Sequence, residues 1–351
     1  MRYDYSQLEE CVLRESAGCM RQIAGVKRLI LDDGRGRGVR LADVDNGSGL
    51  RYTIALDRGM YILDASFRGV PVAFKTPMGC CHPAYYEPAG FGWLRTWPAG
   101  LLTTCGLRTA GAPRCDFNPT MPDGPMGLHG RISHTPAENI LVSENWNSGC
   151  YEIAISGVLM EARMYGENFR LERKISTSMG SNKITIEDTV SNQGFRPYPL
   201  MVVYHCNLGF PVLDCNAELD AVKHEVFPRD EQSARGLDIW NKCQRPERDF
   251  DEQCFIHLIP PDEDGMSRIC LRNRNVGIEL ELAYRAGQLP CLAQWKMMGQ
   301  GEYVIGLEPA SCDFFALEKS ECDCPPQLLE PGRIERFRVE IGVKELPQAE
   351  Q

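Results

Sequence analysis

The chain has 351 residues, 43% of them hydrophobic, enough to build one large core. Its 38 Lys and Arg against 48 Asp and Glu leave a net charge of −10, and no Lys/Arg-rich run offsets it, which argues against a nucleic-acid partner because phosphate backbones are repelled. No apolar run approaches the roughly 20 residues of a membrane helix, and the charged, polar N-terminus lacks the apolar core of a secretory leader; a soluble, cytoplasmic protein with no membrane contact is expected.

Residues 6–24 read as a helical lead-in with Leu8, Cys11, Val12, Met20 and Ile23 loosely spaced, so residues 1–26 are set apart from the rest of the chain. From about residue 27 short strands alternate with turn residues. Gly34 to Gly38 lacks the Gly-Lys-Ser/Thr ending and the following helix of a phosphate loop, and reads as a turn, as does Asn46 to Gly49. Strands are expected over 51–56, 60–67 and 70–74. Residues 77–127 are irregular, rich in Gly and Pro, and hold Trp93 and Trp97; so long a stretch in a compact domain is functional or disordered, and the aromatics favour order. Strands resume over 132–141, 150–160, 169–175, 183–190 and 200–205. Residues 228–252 are polar, carry Pro228 and Pro246, and read as a surface insertion. Further strands are expected over 254–259, 269–271, 276–282, 291–297, 303–308 and 333–343. The 8–12-residue rhythm and the absence of a linker predict an all-β chain, residues 1–351 forming one domain, a large antiparallel β-sandwich.

The 16 cysteines include no Cys-x-x-Cys pair with a matching His pair; Cys80-Cys81 and Cys322-Asp323-Cys324 do not have zinc-site spacing. They are expected as reduced, buried, small apolar residues, with no metal.

Three segments carry candidate chemistry. In the apolar run Leu200 to His205, side chains alternate, so Met201, Val203 and His205 share a face, and His205 falls where Asn207, Gly209 and Pro211 should end the strand. A core histidine bonded to backbone is the plain alternative. In Gly127-Leu128-His129-Gly130-Arg131, glycines flank His129 and let a ligand approach, and an extended segment would put Arg131 on the same side; a surface turn is the alternative. In Tyr303 to Pro309, Val304, Gly306 and Glu308 share a face, Gly306 leaving space and Pro309 ending the ladder. Glu308 is otherwise an exposed strand end. Gln294 and Trp295 in the preceding strand offer a hydroxyl partner and a flat apolar face, though Trp is equally at home in a core. Arg58, in a tight Asp-Arg-Gly turn, either reaches substrate or pairs with Asp57 or another carboxylate. A Glu base and a His acid on opposite sides of a neutral, hydroxyl-rich ligand suit proton relocation near neutral pH and need neither metal nor cofactor. Gly-x-Ser-x-Gly, Rossmann and Walker signatures are absent.

His205-Cys206-Asn207-Leu208, Leu128-His129-Gly130 and Leu307-Glu308-Pro309 resemble segments of the galactose mutarotases, or aldose 1-epimerases. More closely, Asp57 to Met60, Gly100 to Leu107, Gly127 to Ser133 and Tyr204 to Pro211 resemble the aldose-1-epimerase-like DUF4432 branch, over about residues 50–310. The resemblance implies a galactose mutarotase-like β-supersandwich and a small-molecule sugar substrate. It implies that His205 protonates the ring oxygen, that Glu308 takes the proton of the anomeric hydroxyl, and that His129, with Arg131 beside it, binds the sugar. Opening, rotation about C1–C2 and reclosure would give the other anomer. The pattern departs from ordinary mutarotases where Cys206 and Asn207 directly follow His205 and where Arg131 comes after the His, so a keto-sugar, an acidic sugar or a glycoside stays open; Arg58 and Arg131 would suit an anion. A sugar-binding or sensing protein, and a lyase or glycoside-processing enzyme on the same scaffold, are the alternatives. Assembly state is not written in the sequence.

Overall fold

The computed structural model describes residues 5–115, 125–315 and 324–347. Alternation builds the outer layer. In Lys183–Asn192 every second residue is buried, and Ile184, Ile186 and Val190 face inward. Eight strands pair antiparallel in the order Glu218–Ala221, Met266–Asn273, Ile278–Arg285, Ile334–Glu345, Lys183–Asn192, Asn168–Ser178, Cys150–Ala162, Glu138–Asn147. A second sheet of 11 strands runs Gly25–Ile30, Arg40–Asp45, Leu50–Ala55, Tyr61–Phe67, Leu102–Cys105, Val203–Gly209, Glu302–Ala310, Cys291–Gly299, Gln253–Leu258, Glu225–Pro228, with Val70–Pro71 paired to Tyr61–Phe67. This is the expected all-β architecture, a large antiparallel β-sandwich.

The main core lies between the sheets: Tyr204, Cys206, Leu208, Ile305 and Leu307 pack with Ile153, Ile155, Ile184, Val339 and Ile341. Arg173 and Asp188, fully buried in the smaller sheet, form a 2.5 Å ion pair. Tyr204 Oη of the larger sheet donates to the same carboxylate at 2.6 Å, and Arg173 Nη1 donates to Gly59 O at 2.8 Å. The charges are therefore paired and saturated with hydrogen bonds, as buried charges must be.

The larger sheet is covered on its other face as well. A second apolar cluster joins Trp93 and Trp97 to Met201, Val203, Ala293, Ala310 and Phe314. The irregular stretch is thus ordered over its described part, with short 3₁₀ turns at Pro83–Tyr85 and Gly92–Arg95; residues 116–124 lie outside the described residues. Because both faces are covered, all seven positions of Val203–Gly209 are buried. Two local expectations change. Tyr198–Leu200 is a separate strand paired with Gln327–Leu329, and the main strand runs on past His205 to Gly209, with Asn207 inside it donating from Nδ2 to Gly100 O and His205 O. Ile132–His134 is a 3₁₀ turn, and the strand expected there starts at Glu138. Residues 228–252, expected as a surface insertion, are mostly exposed and are bonded to a face of the larger sheet: Lys296 Nζ, Gln294 Nε2 and Tyr303 Oη donate to the carbonyls of Ile239, Trp240 and Gln244. No helix among the described residues is long and apolar enough to cross a membrane.

Candidate functional site

The register Val203↔Ala310 and Cys206↔Leu307 sets His205 directly across from Glu308 on neighbouring strands. Side chains facing each other across an antiparallel pair are in contact range, and His205 Nε2 lies 3.3 Å from Glu308 Oε1. Alternation sends both away from the main core, whose side of these strands is taken by Tyr204, Cys206 and Leu307. The two groups are therefore adjacent at the floor of one cleft rather than opposed across it. Gly306 makes the contact sterically feasible: a Cβ there would stand 2.9 Å from Glu308 Oε1 and 3.1 Å from His205 Cε1. The space that glycine leaves is filled by the pair itself.

The cleft, about 410 Å³, is walled by aromatic rings. Trp97 and Trp295 lie 5.4 Å and 5.8 Å from the His205 ring, and His129 lies 5.7 Å from it. Trp93 packs 4.9 Å from His129, and Phe314 6.2 Å from it. Each indole N–H is used inside the protein: Trp93 donates to Ser133 Oγ at 2.9 Å, Trp97 to Thr103 Oγ1 at 3.1 Å, Trp295 to Glu252 Oε2 at 2.8 Å. The rings thus present apolar faces to the cleft. At the rim Arg229 Nη1 donates to Glu252 Oε1 at 2.9 Å, and its guanidinium lies over Phe315.

Burial controls the charges. Glu308 is 2% exposed, and burial raises its carboxyl well above the ordinary range; Glu252 adds to the shift and Arg229 opposes it. Burial pulls the His205 imidazole well below its usual range, and His129 adds to that. Burial takes His129 down to about 4. Both shifts favour the uncharged form of each partner, carboxyl and imidazole.

His129, His205, Trp295 and Glu308 are brought to the cleft; three other sequence candidates are not. Arg58 is fully buried, and its guanidinium donates to Cys81 O, to Thr96 O at 2.9 Å and to Ser133 O at 3.3 Å. It ties three segments together, and Asp57 pairs with Arg40 instead. Arg131 turns away because positive φ at His129 and Gly130 makes a tight turn of a segment expected to be extended; it pairs with Glu167 at 2.5 Å in a separate small polar pocket. Gln294 has the other parity from Trp295 and points to the opposite face of the sheet, where His257 and Trp240 O bind it. Trp93, Trp97, Arg229, Glu252 and Phe314 line the cleft without having been assigned to it. Two tryptophans in a Gly/Pro-rich stretch were a signal for the first pair; Arg229 and Glu252 look like ordinary solvated charges in the sequence.

Among the described residues, Cys270, Glu279 and Glu281 alone offer three ligand atoms within 4.8 Å of one another. Arg272 and Lys344 already pair with Glu279, so the group reads as an ion-pair network. Cys322 lies outside the described residues.

No curated protein matches the chain. Solved structures do. One is a protein provisionally named aldose 1-epimerase from Klebsiella pneumoniae, 24% identical, TM-score 0.83, with 92% of this chain and 84% of that one covered. A galactose mutarotase-like protein from Clostridium acetobutylicum is 12% identical with TM-score 0.65, covering 93% of this chain and 100% of that one. The galactose 1-epimerase of Lactobacillus acidophilus is 12% identical with TM-score 0.59, covering 92% and 99%. These likenesses carry the fold. A family profile described as a domain of unknown function matches residues 36–343, nearly the whole chain, and with its motifs on the strands and turns of this fold the chain belongs to the DUF4432 family.

Proposed function

We propose that the cleft binds a neutral sugar and that His205 and Glu308 interconvert its anomers without a cofactor. The observation that carries this is the register-enforced contact of the two groups, 3.3 Å apart at the floor of an aromatic cleft. In a cyclic sugar the anomeric hydroxyl and the ring oxygen are bonded to the same carbon. An acid and a base serving those two oxygens must stand side by side, as these do. Transfer of a proton from the Glu308 carboxyl to His205 across their 3.3 Å contact readies the pair; the carboxylate then takes the proton of the anomeric hydroxyl while the imidazolium gives one to the ring oxygen, and the ring opens. The pair has then passed from carboxylate and imidazolium to carboxyl and imidazole, the form that burial favours. Rotation about C1–C2 and the reverse transfers close the ring as the other anomer, with no net proton gained or lost. His129 lies beside the pair and would hold a hydroxyl near the reacting carbon, with Trp97 and Trp295 against the apolar face of the ring.

A neutral substrate fits the charges. Arg58 and Arg131 are committed elsewhere, and Arg229 at the rim is already paired with Glu252 and Asp230. The test is Glu308→Gln assayed for anomer exchange of D-galactose and D-glucose by saturation-transfer NMR. Exchange should fall about 10²–10⁴-fold, the size of one general acid–base group, while calorimetry still detects sugar binding. Undiminished exchange in that variant would overturn the reading. Substrate mass should be unchanged by the wild-type protein; a mass change would point to a lyase or hydrolase instead.

A further inference from the structure

A chain of three hydrogen-bond contacts on the far side of the cleft's own strands calls for one more hydrogen than two neutral imidazoles can supply. His224 Nδ1 faces Val222 O at 2.6 Å; His224 Nε2 faces His257 Nδ1 at 2.8 Å; His257 Nε2 faces Gln294 Oε1 at 2.9 Å. Gln294 is fixed in that orientation because its Nε2 donates to Trp240 O at 2.9 Å. Both ends of the chain are carbonyl oxygens, which accept and cannot donate. Each of the three bonds therefore needs a hydrogen carried by a ring nitrogen, and two neutral imidazoles carry only two.

We propose that His224 and His257 hold one extra proton between them, and that this imidazolium–imidazole relay clamps residues 229–252 to the sheet and so positions Arg229, Glu252 and Trp295 at the cleft. Gln294, the relay's end, precedes Trp295 on one strand. The clamped segment begins at Arg229 and ends at Glu252, the two rim residues, and Glu252 accepts from the Trp295 indole. Trp240, from the middle of the segment, packs 4.8 Å from His257 and 5.4 Å from His224. Lys296 on Gln294's strand binds the next carbonyl of the segment, Ile239 O.

The location of the proton is set by burial. His257 is fully buried, and burial takes it down to about 3, with His224 acting in the same direction. A charge is costlier on the fully buried ring than on the half-buried one, so the proposed imidazolium is His224. Phe255 is the remaining ring against His257, at 6.4 Å. The other ionisable residues on the packed elements are Lys223 and Glu225 beside His224, Cys254 on His257's strand, Asp238, Lys242 and Cys243 within three residues of Trp240, and Cys291 and Lys296 on Gln294's strand, Lys296 already bonded. With the proton bound the three bonds are complete, and as pH rises one is lost and the clamp loosens.

The consequence for the cleft rests on the sugar reading; the protonation itself does not. Nitrogen-15 NMR of the histidine-labelled full chain at about pH 6 should show His224 as imidazolium and His257 neutral with its proton on Nε2. Two neutral imidazoles there would overturn the inference whether or not any sugar is turned over. In kinetics, His224→Gln should raise KM for D-galactose about fivefold at about pH 6, the effect of one net hydrogen bond, with kcat unchanged and the two KM curves converging above about pH 8. Parallel KM curves would also overturn it, whereas no exchange in the wild type would sink the sugar reading and leave the NMR result standing.

Discussion

Glu308 and His205 do not depend on long or flexible side chains to meet. They are direct neighbours on paired strands, and the backbone register places them. The one residue that must be small for this is Gly306, two positions before Glu308 on the same face. Gly306→Ala should therefore act on chemistry more than on folding. The added Cβ meets the far end of the Glu308 side chain at 2.9 Å, the His205 ring at 3.1 Å and Trp295 Cβ at 3.2 Å, and the carboxyl shifts to relieve the closest approach. Anomer exchange should drop at least about tenfold, the cost of a small misplacement of a reacting group, while the thermal midpoint falls by only a few degrees. An exchange rate equal to wild type would show that the pair does not need its present separation.

Among the elements, the covering stretch that carries Trp93 and Trp97 has little regular structure, so its position must come from side chains. Arg58 supplies much of it. It is a buried cation whose bonds go to three carbonyls, of Cys81, Thr96 and Ser133, with the Tyr61 ring 5.5 Å from the guanidinium. Arg58→Met keeps the volume and removes every donor, leaving those carbonyls buried and unpaired, at about 1–3 kcal/mol each. The expected outcome is a lower thermal midpoint and a KM raised more than kcat is lowered, because the aromatic walls move while the acid and base stay on their strands. A loss confined to kcat would contradict this role for Arg58.

The whole molecule contains buried imidazoles whose titration should make it sensitive to acid. His134, bonded to Thr96 and Ser133 and stacked on Tyr86, is pulled to about 2 by burial and by Arg58; His129 and His257 are pulled to about 4 and about 3. Each is neutral in the fold and takes up a proton when unfolded below about pH 6.5, so each contributes stability that is lost as pH falls from there. Glu161 and Glu308, raised by burial, act in the opposite sense above about pH 4.5. His134→Gln isolates one group: its stability deficit against wild type should shrink by about 1.4 kcal/mol per pH unit between about pH 6.5 and 5. Denaturant unfolding at several pH values measures it, and parallel curves would mean that His134 is not held neutral.

Alternation, turn residues and the rhythm of strands are local properties, and they sufficed for the all-β sandwich and for most of its strands. The parity of a strand is also local, so Val304, Gly306 and Glu308 could be put on one face, and Met201, Val203 and His205 on another, before any pairing was known. Which strands pair, and in what register, is decided by long-range packing of the two sheets, and it is that register which sets His205 beside Glu308. The same limit separates the arginines. Arg58 and Arg131 looked like ligands for an anion because a sequence does not say that three carbonyls surround the one, or that positive φ at His129 and Gly130 turns the other towards Glu167. Arg229 and Glu252 were invisible for the converse reason: the segment between them is polar, and only its attachment to the larger sheet carries its two ends to the mouth of the cleft. Composition and period thus determined the layers of this protein, while the meeting of its charged groups was left to tertiary structure, because burial and pairing depend on residues far away in the chain.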